Sequence, residues 1–192
     1  MKYAADPARD ESSFPVVSVI REVGCEVGFV PARVRLLQLI HRGFLYAACT
    51  LAGETAIGAG QVRALRPLKP PVVSIGEPES GSGMVTVPLR WAADCGPGRL
   101  GLLLDAELAF IAMIGSTTAR FDGVFRFPAA PYAGRLADAL TRTRAAESAA
   151  ELLLTRVRGA LIRGAEAETP VISGLSGRVS ARTAEGAIEG KH

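Results

Sequence analysis

The run MVTVPLRWAADCGPGRLGLLLDAELAF, residues 84–110, sets Arg90, Asp105 and Glu107 into an otherwise apolar stretch. Two carboxylates beside a guanidinium can serve as an acid–base pair with its charge stabiliser. The same residues can instead form a solvated ladder of opposite charges across neighbouring strands. Alternation separates the two, because successive strand side chains face opposite ways. Over 84–94, Val85, Val87, Leu89, Trp91 and Ala93 share one face, and Met84, Thr86, Arg90 and Asp94 share the other. Next, Leu102, Leu104, Ala106, Leu108 and Phe110 are uniformly apolar, with Asp105 and Glu107 pointing away. Ala119, Phe121, Gly123, Phe125 and Phe127 repeat the pattern opposite Arg120, Asp122 and Arg126. Each strand thus has a dry face and a charged one, and the three charges read as a wet ladder. Pro88 is the weak point, since a bulge there would turn Arg90 inward.

A long Ala/Leu/Arg-rich helix is expected from about Tyr132 to Arg163, with PYAGRLADAL at its start. Its inward stripe at helical spacing is Leu136, Leu140, Thr143, Glu147, Ala150, Leu154, Val157 and Leu161. Glu147, one turn past Thr143, is costly to bury unpaired. It either orients a polar ligand group or acts as an acid, or else it reaches the helix edge toward Arg144 or Arg35. His41 and Tyr46 fall on short helices and are rim candidates at most. Cys25, Cys49 and Cys95 are widely spaced, with neither a CxxC nor a disulfide framework, as in a reducing compartment. With only His41 and His192, no zinc-type cluster assembles at known spacings. GSTTAR and SGSG read as turns; without a P-loop lysine or a GxSxG, nucleotide binding and serine-hydrolase chemistry have no support. No catalytic residue, metal or cofactor is assigned.

The elements that must position these residues follow from periodicity. Residues 1–13 are polar and read as a loose arm. FPVVSVIREVGCEVGFV (14–30) is β-branched and reads as a strand, bent near Gly24. Pro31 suits a first helical turn. ARVRLLQLI carries Val34, Leu37 and Ile40 as a short amphipathic helix, and FLYAACTLAGETA is a second helix after Gly43. IGAGQVRALRPLKPP is a loop with at most a short strand around Val62–Leu65. Then VVSIGE and the three alternating runs, separated by glycine-rich turns, form an antiparallel meander. Residues 164–192 are Gly-rich and polar, a flexible tail by composition.

At 192 residues the chain is long enough for one domain, here 14–163, with a real core. The charged fraction of 21% and a mean hydropathy of +0.24 exclude a disordered chain. No apolar run reaches the roughly 18 residues of a membrane span, and the charged N-terminus has no signal-peptide core. A cytoplasmic protein is expected. The net charge of +3 is spread over scattered arginines with no basic stripe, so nucleic acid is not an expected partner. The oligomeric state is left open.

The order strand, two short helices, antiparallel strands, long helix lets a curved sheet wrap one helix. With PLRW (88–91), LDAEL (104–108), GVFRFP (123–128) and LADALTRTRAAESAAELLLTRV (136–157), it resembles the START/polyketide-cyclase-like (SRPBCC) superfamily over roughly residues 14–163. The resemblance implies an α+β helix-grip fold and a hydrophobic cavity between sheet and C-terminal helix. A helix-grip sheet usually has seven or so strands and this chain offers five or six, so 57–65 must add pairing or the cavity has an open edge. Trp91, Leu104, Phe110, Phe121, Phe125, Leu140, Thr143 and Glu147 are the expected ligand-binding residues. The leading expectation is a non-enzymatic protein that binds a hydrophobic small molecule, lipid- or polyketide-like. The rivals are a polyketide cyclase/aromatase-type enzyme using the same cavity, and an interaction module. An enzyme would need several polar groups converging in the cavity, where the sequence offers Thr143, Glu147 and at most Tyr132.

Overall fold

Five β-branched and aromatic runs, broken by glycine turns, pair into one antiparallel sheet. The computed structural model describes residues 14–59, 72–94, 100–127 and 138–163. The order is β1 (Val16–Cys25), α1 (Phe29–His41), α2 (Phe44–Ala59), β2 (Val72–Ile75), β3 (Glu79–Gly81), β4 (Met84–Asp94), β5 (Leu100–Met113), β6 (Ser116–Arg126) and α3 (Ala139–Arg163). The six strands run β1-β6-β5-β4-β2, with β3 also on β4. α3 lies along β1 and β6, α2 packs on α3 and on β2 and β4, and α1 sits by β5 and β6. This is the expected helix-grip α+β arrangement, a sheet around the C-terminal helix with two short helices after the first strand. The loose arm, the tail, the Val62–Leu65 strand, Tyr132 and Leu136 lie outside the described residues.

Two strand positions where a bend or bulge could fall keep regular pairing. β1 passes Gly24 without a break, pairing Val23 with Ala119, Gly24 with Thr118 and Cys25 with Thr117. Pro88 does not bulge β4 either: it faces Glu107 in unbroken register from Met84–Ile111 to Ala92–Leu103, and the register shifts only after Ala92. The proline acts on β4's other side. There β2 stops at Ile75 opposite Leu89, and β3 resumes at Glu79 opposite Thr86. Three residues, Gly76 to Pro78, thus face Val87 and Pro88, and Gly76 N–H donates to the Pro88 carbonyl at 2.8 Å. Proline cannot donate to a ladder, so the irregularity falls on the short edge strands. Ser80 and Gly81, expected in a turn, belong to β3.

The helices correct two phases. On α1 the buried row is Ala32, Leu36 and Leu39, whereas Val34 and Leu37 are exposed and Ile40 is only partly buried. In this rotation Arg35 donates to the Leu161 carbonyl at 2.5 Å, satisfying an orphan group in the last turn of α3. On α3 the buried row is Ala145, Ala146, Ala149, Ala150, Leu153, Leu154, Val157, Ala160 and Leu161. The second half of the expected stripe is therefore inside, but Leu140 is 57% exposed. Alanines fill the first half because α3 lies against α2, itself rich in small residues, and close helix approach favours small side chains. Asp138 starts α3, accepting from Thr141 N–H at 2.8 Å and from its hydroxyl at 3.0 Å. Those two hydrogen bonds hold its carboxyl below the usual range.

Helix and sheet come very close at Gly53 of α2. A Cβ there would stand 2.1 Å from Cε2 and 2.4 Å from Nε1 of Trp91. Trp91 is 1% exposed, and the space beside it is a void of about 10 Å³, too small to take up the displaced ring. In an unconstrained helix interior Gly→Ala gains up to about 1 kcal/mol. Here the sign is expected to reverse: Gly53→Ala should lose roughly 1–3 kcal/mol in urea unfolding, as overpacked cores do. A gain in stability would show that the indole does not rest on Gly53.

Candidate functional site

The wet ladder accounts for the opening charges. Arg90 stands directly opposite Asp105, with Nε 3.3 Å from Oδ1, and Arg126 binds the other oxygen of the same carboxylate. Arg120 pairs with Asp122 at 3.1 Å and reaches Glu22 at 4.0 Å. Glu107 stands between Pro88 and Asp122. All of these side chains are at least a third exposed, or lie on the same outer face. A half-solvated ladder of this kind holds register rather than doing acid–base work.

The inner face is the candidate site. Trp91 pairs with Leu104, Leu104 with Phe125, and Phe125 with Val17, giving one apolar row across β4, β5, β6 and β1. Two rows on, past Leu89, Ala106, Gly123 and Val19, lie Val87, Leu108, Phe121 and Arg21. Phe121 and Phe125 are tilted neighbours with centroids 6.2 Å apart. Between these rows and the helices lies a void of about 10 Å³, lined by Leu89, Arg90, Trp91, Leu104, Phe121 and Phe125 of the sheet, with the Arg90 side chain turned outward to Asp105. Cys49, Ala52 and Gly53 of α2 and Ala149 and Leu153 of α3 close it. It has room for about one water. Among the described residues, this part of the interior is packed.

One polar atom stands out in this apolar setting. Among the described residues, Trp91 Nε1 is the one buried side-chain nitrogen or oxygen without a hydrogen-bond partner. Leaving such a donor unpaired costs about 1–3 kcal/mol. The other lining heteroatom is the Cys49 thiol, which burial pushes up to about 12. It stays protonated near neutral pH and is not an activated nucleophile. Burial also raises Cys25, against the opposing influence of Arg158 and the backbone at Ala119.

Of the eight expected residues, Trp91, Leu104, Phe121 and Phe125 meet at the void. Phe110 is fully buried one row further on, between Val85 and Ala119. Leu140 faces solvent. Thr143 donates back to the Ala139 carbonyl at 3.0 Å. Glu147 accepts from Arg21 Nη2 at 2.5 Å and is about one-third exposed, so it closes a helix–strand pair and does not aim into the interior. It is at the helix edge, as one alternative had it, but its partner is Arg21 and not Arg144 or Arg35. Sequence reasoning misses Arg21 and Gly53. Their signals are an arginine in the inward row Val17, Val19, Arg21, Val23, and a glycine inside a helical run of small residues.

Comparison with known proteins adds little. No family model matches the chain, and no curated protein matches it. Solved structures with some likeness include Ara h 8.0201, at 13% identity, TM-score 0.33, over 78% of this chain and 100% of that one. An uncharacterised protein from Rhizobium leguminosarum has 12% identity and TM-score 0.33, over 77% and 98%. The Zhui aromatase/cyclase from Streptomyces sp. R1128 has 16% identity and TM-score 0.31, over 78% and 95%. Likenesses this low bear on neither ligand nor activity.

The two neighbours in sequence, Arg90 and Trp91, should differ sharply on replacement. Arg90→Ala removes an exposed pair and is expected to cost roughly 0–1 kcal/mol. Trp91→Ala empties a buried site and should cost on the order of 3–5 kcal/mol. Denaturant unfolding of both variants checks the ranking, and equal costs would contradict the assigned faces.

Proposed function

We propose that the protein binds an apolar small molecule carrying a hydrogen-bond acceptor, taken up between the sheet and helices α2 and α3. The observation that carries this reading is the buried, unpartnered Trp91 N–H in a lining that is otherwise apolar. A site with one donor and many carbon contacts suits a lipid- or polyketide-like molecule with a carbonyl or ether oxygen. The void of about 10 Å³ means that binding must widen the interior. The seam that gives is α2 on β4, where Gly53 and alanines present little side-chain surface to the sheet. A cyclase-type enzyme would need convergent polar groups on the inner face. Among the described residues the polar groups of that face include the Trp91 donor, Arg21, which is engaged by Glu147, and Thr117, which donates to the Val27 carbonyl.

A matched pair of probes tests this reading. 2-Acetylnaphthalene offers an acceptor that 2-ethylnaphthalene, of nearly the same shape, lacks. Titration of either should change the emission of the single tryptophan saturably, with the acetyl compound bound roughly tenfold more tightly. Equal affinities would remove the role given to the N–H. A linear response to both, with no saturation, would remove the binding site itself.

A further inference from the structure

Strand β1 is one edge of the sheet, and among the described residues it pairs only with β6. In an antiparallel pair, alternate residues point their N–H and C=O groups toward the partner. Phe127 N–H donates to the Pro15 carbonyl at 2.9 Å, one step beyond the Val16–Arg126 pair. The odd-numbered residues of β1 therefore bond β6, and Val16, Ser18, Ile20, Glu22 and Gly24 turn their backbone groups to the open side. An edge of 10 residues with Val16 and Ile20 more than half exposed is a template for another strand.

The strand best matched to that edge is a second copy of itself. Antiparallel pairing about a two-fold axis at Ile20 sets Ile20 against Ile20, Ser18 against Glu22 and Val17 against Val23. Val19 then faces Arg21, and no like charges meet. Parity agrees as well, since the residues facing each other across the axis are those with free backbone groups. One contact blocks the arrangement. Arg21 Nη1 donates to the Ile20 carbonyl at 3.1 Å, which is the acceptor that the central pair would use. The same guanidinium is tied to α3, by Glu147 at 2.5 Å and by Glu151 at 3.9 Å.

We infer that the outer edge of β1 is a self-pairing surface and that Arg21, latched to Glu147 and Glu151, holds it shut. This rests on backbone direction and one side chain, and is independent of the ligand reading. A valine at position 21 keeps the strand character and removes the guard.

Light scattering on the eluting full-length chain, at rising protein concentration, tests it. Arg21→Val should shift the mass toward twice that of the wild type, while circular dichroism stays unchanged. Adding Ile20→Lys, which places a charge against its own copy at the axis, should return the mass to the wild-type value. An Arg21→Val protein that keeps the wild-type mass overturns the inference, as does association that Ile20→Lys leaves intact. Should the valine variant not fold, Arg21→Thr removes the same guanidinium and carries the same expectations.

Discussion

The contact between the Trp91 indole and Gly53 governs the interior of this protein. A glycine on α2 lets the largest side chain of the sheet lie against helix backbone, at distances a Cβ would not allow. That brings α2 down onto β4 and β2, and the alanines of α2 and α3 then let the two helices share one inner face. Among the described residues, the consequence is close packing around the indole, with a void of about 10 Å³ beside it. The same contact encloses the indole nitrogen where no acceptor reaches it. Close packing and an unmet polar group thus have one origin, and the proposed site is the place where they coincide.

The outer face follows a different logic. Its ion pairs are half-solvated and individually weak; Asp105 is shared between Arg90 and Arg126, while Arg120 meets Asp122 on its own strand, beside the facing acids Glu107 and Asp122. Pro88 disturbs only the short strands at its side, which leaves the long hairpins regular. Arg21 links the two layers. It stands on the inner row of an edge strand, and its charge is met by a helix carboxylate rather than by solvent alone.

Much of this was legible in the sequence. Strict alternation in β4, β5 and β6 identifies both faces, because a sheet with one dry side cannot slip by one residue without exposing all its leucines. The topology follows from glycine turns and element order. The phase of α1 and that of the first half of α3 were not legible, whereas Ala150, Leu154, Val157 and Leu161 lie inside as the stripe predicts. Leu36/Leu39 and Val34/Leu37 are competing apolar rows, and the first lies inside, with Arg35 bonded to a carbonyl 126 residues away. On α3 the buried alanines carry little hydrophobic signal, so Leu140 and Thr143 look like better inward positions than Ala145 and Ala149. The partner of Glu147 is equally remote, since Arg21 lies 126 residues earlier. The cavity implied by the resemblance has one counterpart among the described residues, a void of about 10 Å³ that Trp91 borders where it rests on Gly53.

The most direct measurement is the indole N–H resonance of the one tryptophan in the ¹⁵N-labelled protein, with its hydrogen-exchange rate. A single signal is expected, exchanging as slowly as the amides of the core, at a shift typical of an indole without an acceptor. Saturation with an apolar ligand that carries a carbonyl should then move it downfield, as hydrogen bonding deshields the proton. Rapid exchange in the free protein, or a hydrogen-bonded shift before any ligand is added, would contradict the account of a closed interior with an unmet donor.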